Sequence, residues 1–178
     1  MKNKITLAFT ALMFSLIIIS CGGKKDEEAV DLTPQEGMRY LDISGTGMNL
    51  YFSCPDSTVG PLDTIYQSWG AFEIKVGEEF QVSIAEGEGD IKTAKSDIAN
   101  NDVNVFKRYL VDDATTLVWE STLAEKSEFH FYTIQKVGER TYVVEDIKGQ
   151  VFAQPLAEKM LNAAKSMKEK IVAPKEKA

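Results

Sequence analysis

The chain has 178 residues, 27 acidic against 20 basic side chains, a formal net charge of −7 and a single histidine. That length suits one domain with a hydrophobic core of its own, without disulfide staples. An acidic chain repels phosphate backbones, and no lysine- or arginine-rich patch offsets the repulsion, so nucleic acid is not an expected partner.

In chain order, Lys2 and Lys4 precede an apolar run from Ile5 to Ile19. Ile18-Ile19-Ser20-Cys21 then gives way abruptly to Gly-Gly-Lys-Lys-Asp-Glu-Glu. This is the layout of a secretory signal, with a cysteine where an ordinary signal ends in small residues. Ile5 to Ser20 counts 16 residues and includes Thr6, Thr10 and Ser15. A membrane-spanning helix needs roughly 20 predominantly apolar residues, so cleavage is expected rather than a retained span.

The block resembles the lipobox of bacterial lipoproteins. The resemblance implies diacylglycerol on the Cys21 sulfur, cleavage before Cys21 and acylation, such as palmitate, of the new amino terminus. Two acyl chains anchor stably where one binds reversibly. The expected location is therefore the cell envelope, lipid-anchored, in the outer membrane. Lys24, Lys25, Asp26, Glu27 and Glu28 resemble the surface-export signal of some Bacteroidota lipoproteins, which implies display on the cell surface. A plain acidic linker is the alternative. With Cys21 carrying lipid, Cys54 has no disulfide partner and is expected as a small buried hydrophobe.

The resulting organisation is a signal peptide over 1–20, a lipidated N-terminus and flexible acidic tether over 21–37, one α+β globular domain over 38–172 and a disordered tail over 173–178. Within the domain, Tyr40-Leu41-Asp42-Ile43-Ser44 and Met48 to Cys54 predict strands flanking a turn at Gly45-Thr46-Gly47. Thr58 to Ser68 reads as a loop punctuated by Gly60-Pro61. Phe72 to Val76 and Phe80 to Ile84 alternate apolar with polar residues and predict a half-buried hairpin. Lys75-Val76-Gly77-Glu78 recurs as Lys136-Val137-Gly138-Glu139; the flanks do not align, so shared turn chemistry rather than an internal repeat is expected.

Asp90 can cap a helix. Ile91, Ala94 and Ile98, followed by Val103, Phe106 and Leu110, predict one broken helix from Asp90 to Leu110, interrupted at Asn100-Asn101-Asp102. Strands follow at Thr116–Glu120, Glu128–Gln135 and Thr141–Asp146. The middle one is apolar on both faces and is the candidate for an interior strand. Leu156, Met160, Ala163, Ala164, Met167 and Ile171 predict an amphipathic helix from Pro155 to Ile171. The expected fold is α+β, a mostly antiparallel sheet of about seven strands with the C-terminal helix packed on it.

Chemistry-bearing constellations are sparse. Cys54 and His130 are the candidate thiol–imidazole dyad of a small hydrolase or thiol enzyme, since a cysteine nucleophile needs a neighbour that holds it as thiolate. The local signatures of known cysteine enzymes are missing. One histidine and one available cysteine do not make a zinc site. Glu86-Gly87-Glu88-Gly89-Asp90 lacks calcium-loop spacing. No phosphate cradle or nucleophile elbow is present. No metal and no cofactor is expected.

Tyr66 and Trp69 are candidates for stacking on a sugar or a partner protein, although packing of Trp69 at the core edge is the expectation. The function expected from all this is a non-catalytic binding or envelope-accessory module. Its partners would be the membrane, through lipid, and an envelope protein or glycan. The thiol enzyme is the alternative.

Overall fold

The computed structural model describes residues 30–171. The expected signal peptide, Cys21, the motif from Lys24 to Glu28 and the tail from Ala173 lie outside the described residues. The fold is α+β. Among the described residues, the strands are β1 (Met38–Asp42), β2 (Leu50–Pro55), β3 (Leu62–Tyr66), β4 (Ala71–Val76), β5 (Phe80–Glu86), β6 (Val105–Asp112), β7 (Thr116–Leu123), β8 (Lys126–Val137), β9 (Arg140–Asp146) and β10 (Lys168–Glu169). The helices are α1 (Ile91–Ala99) and α2 (Gln154–Lys165).

Seven strands form one sheet in the order β3-β4-β5-β9-β8-β7-β6, and three form a second in the order β1-β2-β10. Every pairing is antiparallel. The alternation that predicts the hairpin of β4 and β5 has a direct packing meaning. Phe72, Ile74, Val76, Phe80, Val82 and Ile84 all turn to one face and are buried there. The expectation of a half-buried hairpin is corrected, since Glu73, Gln81 and Ser83 on the other face are covered too. β8 is an interior strand, paired with β7 on one side and β9 on the other.

The core fills the space between the sheets. Leu50, Phe52 and Cys54 of the small sheet meet Val82, Ile84, Phe131 and Val144 of the large one, and Phe52 contacts Phe80 edge to face at 6.4 Å. α2 packs on β8 and on β2, burying Ala157, Met160, Leu161, Ala163 and Ala164. Its helical spacing of small and apolar residues is what lets it seat against both sheets.

Three elements differ from the sequence expectation. The predicted broken helix stops at Ala99, and Val105–Asp112 is the edge strand β6. Its ladder shifts register between Phe106 and Arg108 and again between Tyr109 and Val111. Each shift inserts a residue into the twofold alternation, and the apolar positions Val103, Phe106 and Leu110 then mimic helical spacing. The predicted loop from Thr58 to Ser68 contains β3, whose five residues are all exposed; a strand that buries neither face shows no alternation. The predicted terminal helix to Ile171 ends at Lys165, after which Lys168 and Glu169 pair with Tyr51 and Leu50 of β2.

Shared turn chemistry does link the recurring Lys-Val-Gly-Glu segments. Each lies at a hairpin turn, with Gly77 at φ +59 and Gly138 at φ +60, a conformation that glycine adopts without strain.

Candidate functional site

The large sheet has a second face, away from the core, and α1 lies over it. Gly89 sets the approach. At φ +65 it carries no side chain where a Cβ would stand 2.8–2.9 Å from Val143 Cγ2, Ile134 Cγ1 and the Tyr132 hydroxyl. Asp90 then caps α1 by accepting from Lys92 N–H at 2.8 Å and from the Thr93 hydroxyl at 2.8 Å. Its own N–H donates to the Tyr132 hydroxyl at 3.2 Å. The acidic loop before α1 thus acts as a helix start docked on β8. At the far side, Lys95 bonds Asp112 and lies 5.2 Å over the Tyr109 ring, tying α1 to β6.

Between α1 and the sheet lies a cleft of about 570 Å³. Asp97, Asn101 and Asn104 form one wall, and Trp119, Tyr132 and His130 form the other, with Glu145 and Asp146 at the base. Four carboxylates reach this cleft, against the single lysine Lys148. Asp90 and Asp146 are engaged by the chain itself, which leaves the Asp97 and Glu145 carboxyls, among the described residues, without such a bond in the cleft lining. Burial pushes the Glu145 carboxyl above its usual range; Lys148 opposes this, while Asp146 and Asp97 add to it.

Behind the aromatic wall runs a buried polar chain. His130 alternates with Phe131 along β8, so its ring turns away from the core and stacks on Trp119 at 5.2 Å. Its Nδ1 lies 2.7 Å from Asp146 Oδ2, and its Nε2 lies 3.1 Å from Ser121 Oγ. The Ser121 hydroxyl in turn donates to Glu128 Oε1 at 3.3 Å. Burial alone would hold the imidazole neutral. The hydrogen bond and charge of Asp146, with the charge of Glu128, outweigh it and raise the His130 pKa above its ordinary value. A protonated ring fits the geometry: Nδ1–H donates to Asp146, Nε2–H to Ser121, and Ser121 to Glu128.

Serine, histidine and aspartate in this order match the connectivity of a hydrolytic triad. Access separates the two cases. Ser121 is fully buried, Glu128 is 1 % exposed, and neither reaches the cleft. A nucleophile has to touch its substrate, so the arrangement serves as a buried network. No sequence signal points to it beyond the isolated letters Ser121, Glu128 and Asp146, because the three partners of His130 come from three different strands.

The candidate dyad does not form. Cys54 is fully buried on the core side and His130 turns to the opposite face. Burial raises the Cys54 thiol, with Arg39 opposing, which is the reverse of an activated nucleophile. Tyr66 and Trp69 lie far from His130 in the sheet order, on β3 and in the turn after it. They are 57 % and 66 % exposed, so the expected packing of Trp69 into the core edge is corrected: Trp69 lies in the surface turn Gln67-Ser68-Trp69-Gly70, closed by Gly70 N–H donating to Gln67 C=O.

Among the described residues, no three His, Cys, Asp or Glu side chains gather as metal ligands would, and no helix is long and apolar enough to cross a membrane. No family model, curated protein or solved structure matches the chain.

Proposed function

We propose that this protein is a lipid-anchored envelope module that binds a small ligand in the cleft between α1 and the large sheet, without chemistry on it. The observation that carries the reading is the cleft itself. Its size falls in the range of small-molecule sites, it offers aromatic surface at Trp119 and Tyr132, and its polar lining mixes the side-chain amides of Asn101 and Asn104 with more carboxyls, Asp97 and Glu145 among them, than the single cation Lys148. That acidic balance disfavours phosphates and other anions. It suits a neutral, hydroxyl-rich ligand such as a glycan fragment, or an organic cation.

A chain carrying Trp119→Ala with Asp97→Asn, expressed in place of the wild type, tests the cleft. Folded and anchored, it should lose fitness in mixed culture as a deletion strain does; wild-type fitness would refute the cleft as the working site. Ser121→Ala should retain fitness, and its failure to do so would favour an enzyme.

The anchor rests on the lipobox at Cys21. Cys21→Ala should leave unprocessed, unlipidated precursor, and a normally processed, membrane-bound product would contradict the anchor. Replacing Lys25, Asp26, Glu27 and Glu28 with alanine should move the protein from the surface to the periplasmic side. Unchanged protease accessibility on whole cells would leave that segment a plain linker.

A further inference from the structure

The two edges of the large sheet are built differently. At the β6 edge the ladder breaks twice, and Lys107 and Arg108 are drawn onto Glu120. Bulges and edge cations are the devices by which a strand avoids further pairing. β3 has neither. Its register against β4 runs unbroken from Leu62 opposite Val76 to Tyr66 opposite Phe72, and no lysine, arginine or proline interrupts Leu62-Asp63-Thr64-Ile65-Tyr66.

Hydrogen bonds at the strand ends fix which way its peptide groups point. Gly77 N–H donates to Pro61 C=O at 3.1 Å, and Gln67 N–H donates to Ala71 C=O at 2.8 Å. Bonded positions alternate along an antiparallel pair. Asp63 and Ile65 therefore exchange bonds with β4, while Leu62, Thr64 and Tyr66 turn both N–H and C=O outward. Among the described residues, nothing pairs with that edge.

We propose that β3 is a self-association edge: two copies of this chain pair antiparallel through β3 about a two-fold axis at Thr64, joining two seven-stranded sheets into one. A second copy fits because the strand is complementary to itself in the one register that matches its outward groups. Centred on Thr64, Leu62 meets Tyr66 of the second copy, Thr64 meets its counterpart, and Tyr66 meets Leu62. All three are bonded positions, so the six outward groups satisfy one another. Leucine–tyrosine and threonine–threonine cross-strand pairs are favourable. Asp63 falls opposite Ile65, so no carboxylate directly faces a carboxylate.

A register centred on Asp63 or Ile65 would pair outward groups unequally and leave donors unmet. Leu62, Thr64 and Tyr66 share a face with Phe72, Ile74 and Val76, so the apolar floor continues across the joint. The chain's own termini suit the edge poorly: Gly22 to Ala29 and Val172 to Ala178 are charged and hold glycine or proline, which strands disfavour. A five-residue ribbon is a small contact, and copies held on one bilayer would gain from a raised effective concentration.

The test uses the full-length lipidated protein in phosphatidylcholine vesicles under mild oxidation. Thr64→Cys should give a disulfide-linked dimer at least tenfold faster than Asp63→Cys or Ile65→Cys, because only position 64 meets itself within bonding range, about 5.5 Å between Cα atoms. Equal rates at the three positions, no dimer from Thr64→Cys, or its linkage in whole cells to a different protein would each overturn the proposal. Thr64→Pro removes one outward N–H and leaves the bonds to β4 intact. It should abolish amine-crosslinked dimers of the otherwise native chain while the unfolding midpoint holds; dimers that persist in this folded variant would also overturn it.

Discussion

Asp146 grips His130 and the strand that carries it at the same time. Oδ2 lies 2.7 Å from His130 Nδ1, and Oδ1 accepts the Phe131 N–H at 2.7 Å. In register Phe131 stands opposite Asp146, one step past the last β8–β9 pair, Tyr132 with Glu145, so the side-chain carboxylate takes the N–H that the ladder's next backbone carbonyl would have accepted. Asp146→Ala leaves an imidazolium and a backbone N–H unmet in a buried place. We expect a loss of about 3–5 kcal/mol in urea unfolding. Asp146→Asn keeps an acceptor oxygen for Phe131 and should lose less; equal losses would show that the bond to Phe131 is immaterial.

The same pair makes stability depend on pH. The folded pKa of His130 is raised above its ordinary 6.5, so the native state holds its proton where the unfolded state has released it. The contribution is fully present below about 6.5 and is lost as pH rises through the folded value. Wild-type unfolding free energy should fall over that window, and His130→Gln should flatten the fall. Glu128→Gln removes one of the charges that raise the ring, so the imidazole proton resonances should titrate at lower pH. An unmoved titration would disconnect Glu128 from His130.

Cys54 should be inert in the folded chain. It is fully buried, with its thiol pKa pushed up by burial, so iodoacetamide should label it only after unfolding. Labelling of native protein at the rate of a free thiol would place Cys54 in solvent-accessible surroundings.

Gly89 holds α1 against the sheet and thereby shapes the cleft. Gly89→Ala puts a methyl group into Val143, Ile134 and Tyr132 and forces an alanine to φ +65. A cost of about 2–4 kcal/mol is expected from the clash and the left-handed backbone together. Amide exchange should quicken in α1 before it does in β8 and β9; uniform exchange would show that the clash is absorbed without freeing the helix.

The elements legible in the sequence are those that alternate apolar with polar residues. The hairpin of β4 and β5 announces itself through Phe72, Ile74 and Val76 because Glu73 and Lys75 stand between them, although Glu73 ends up covered as well. β3, exposed at every residue, shows no such alternation, and β6 misleads because its bulges turn an alternation into a near-helical spacing. Cys54 and His130 stand out as rare letters, but facing is a property of the register, and register is set by pairings distant in sequence. His130 could be seen to alternate with Phe131. Its bonds to Ser121 and Asp146 depend on where β7 and β9 come to lie, which no local pattern encodes.

The two-residue strand β10 brings the end of the described chain back to its beginning. Lys168 bonds the Asp31 carbonyl, Lys170 N–H donates to Asn49 C=O, and Lys170 Nζ bonds Asp42. Both ends of the folded unit therefore leave from the small sheet, on the core side of the large one, while the cleft opens on the far side. A tether running from this end to a bilayer would set the protein down on its small sheet and turn the mouth of the cleft toward the surroundings.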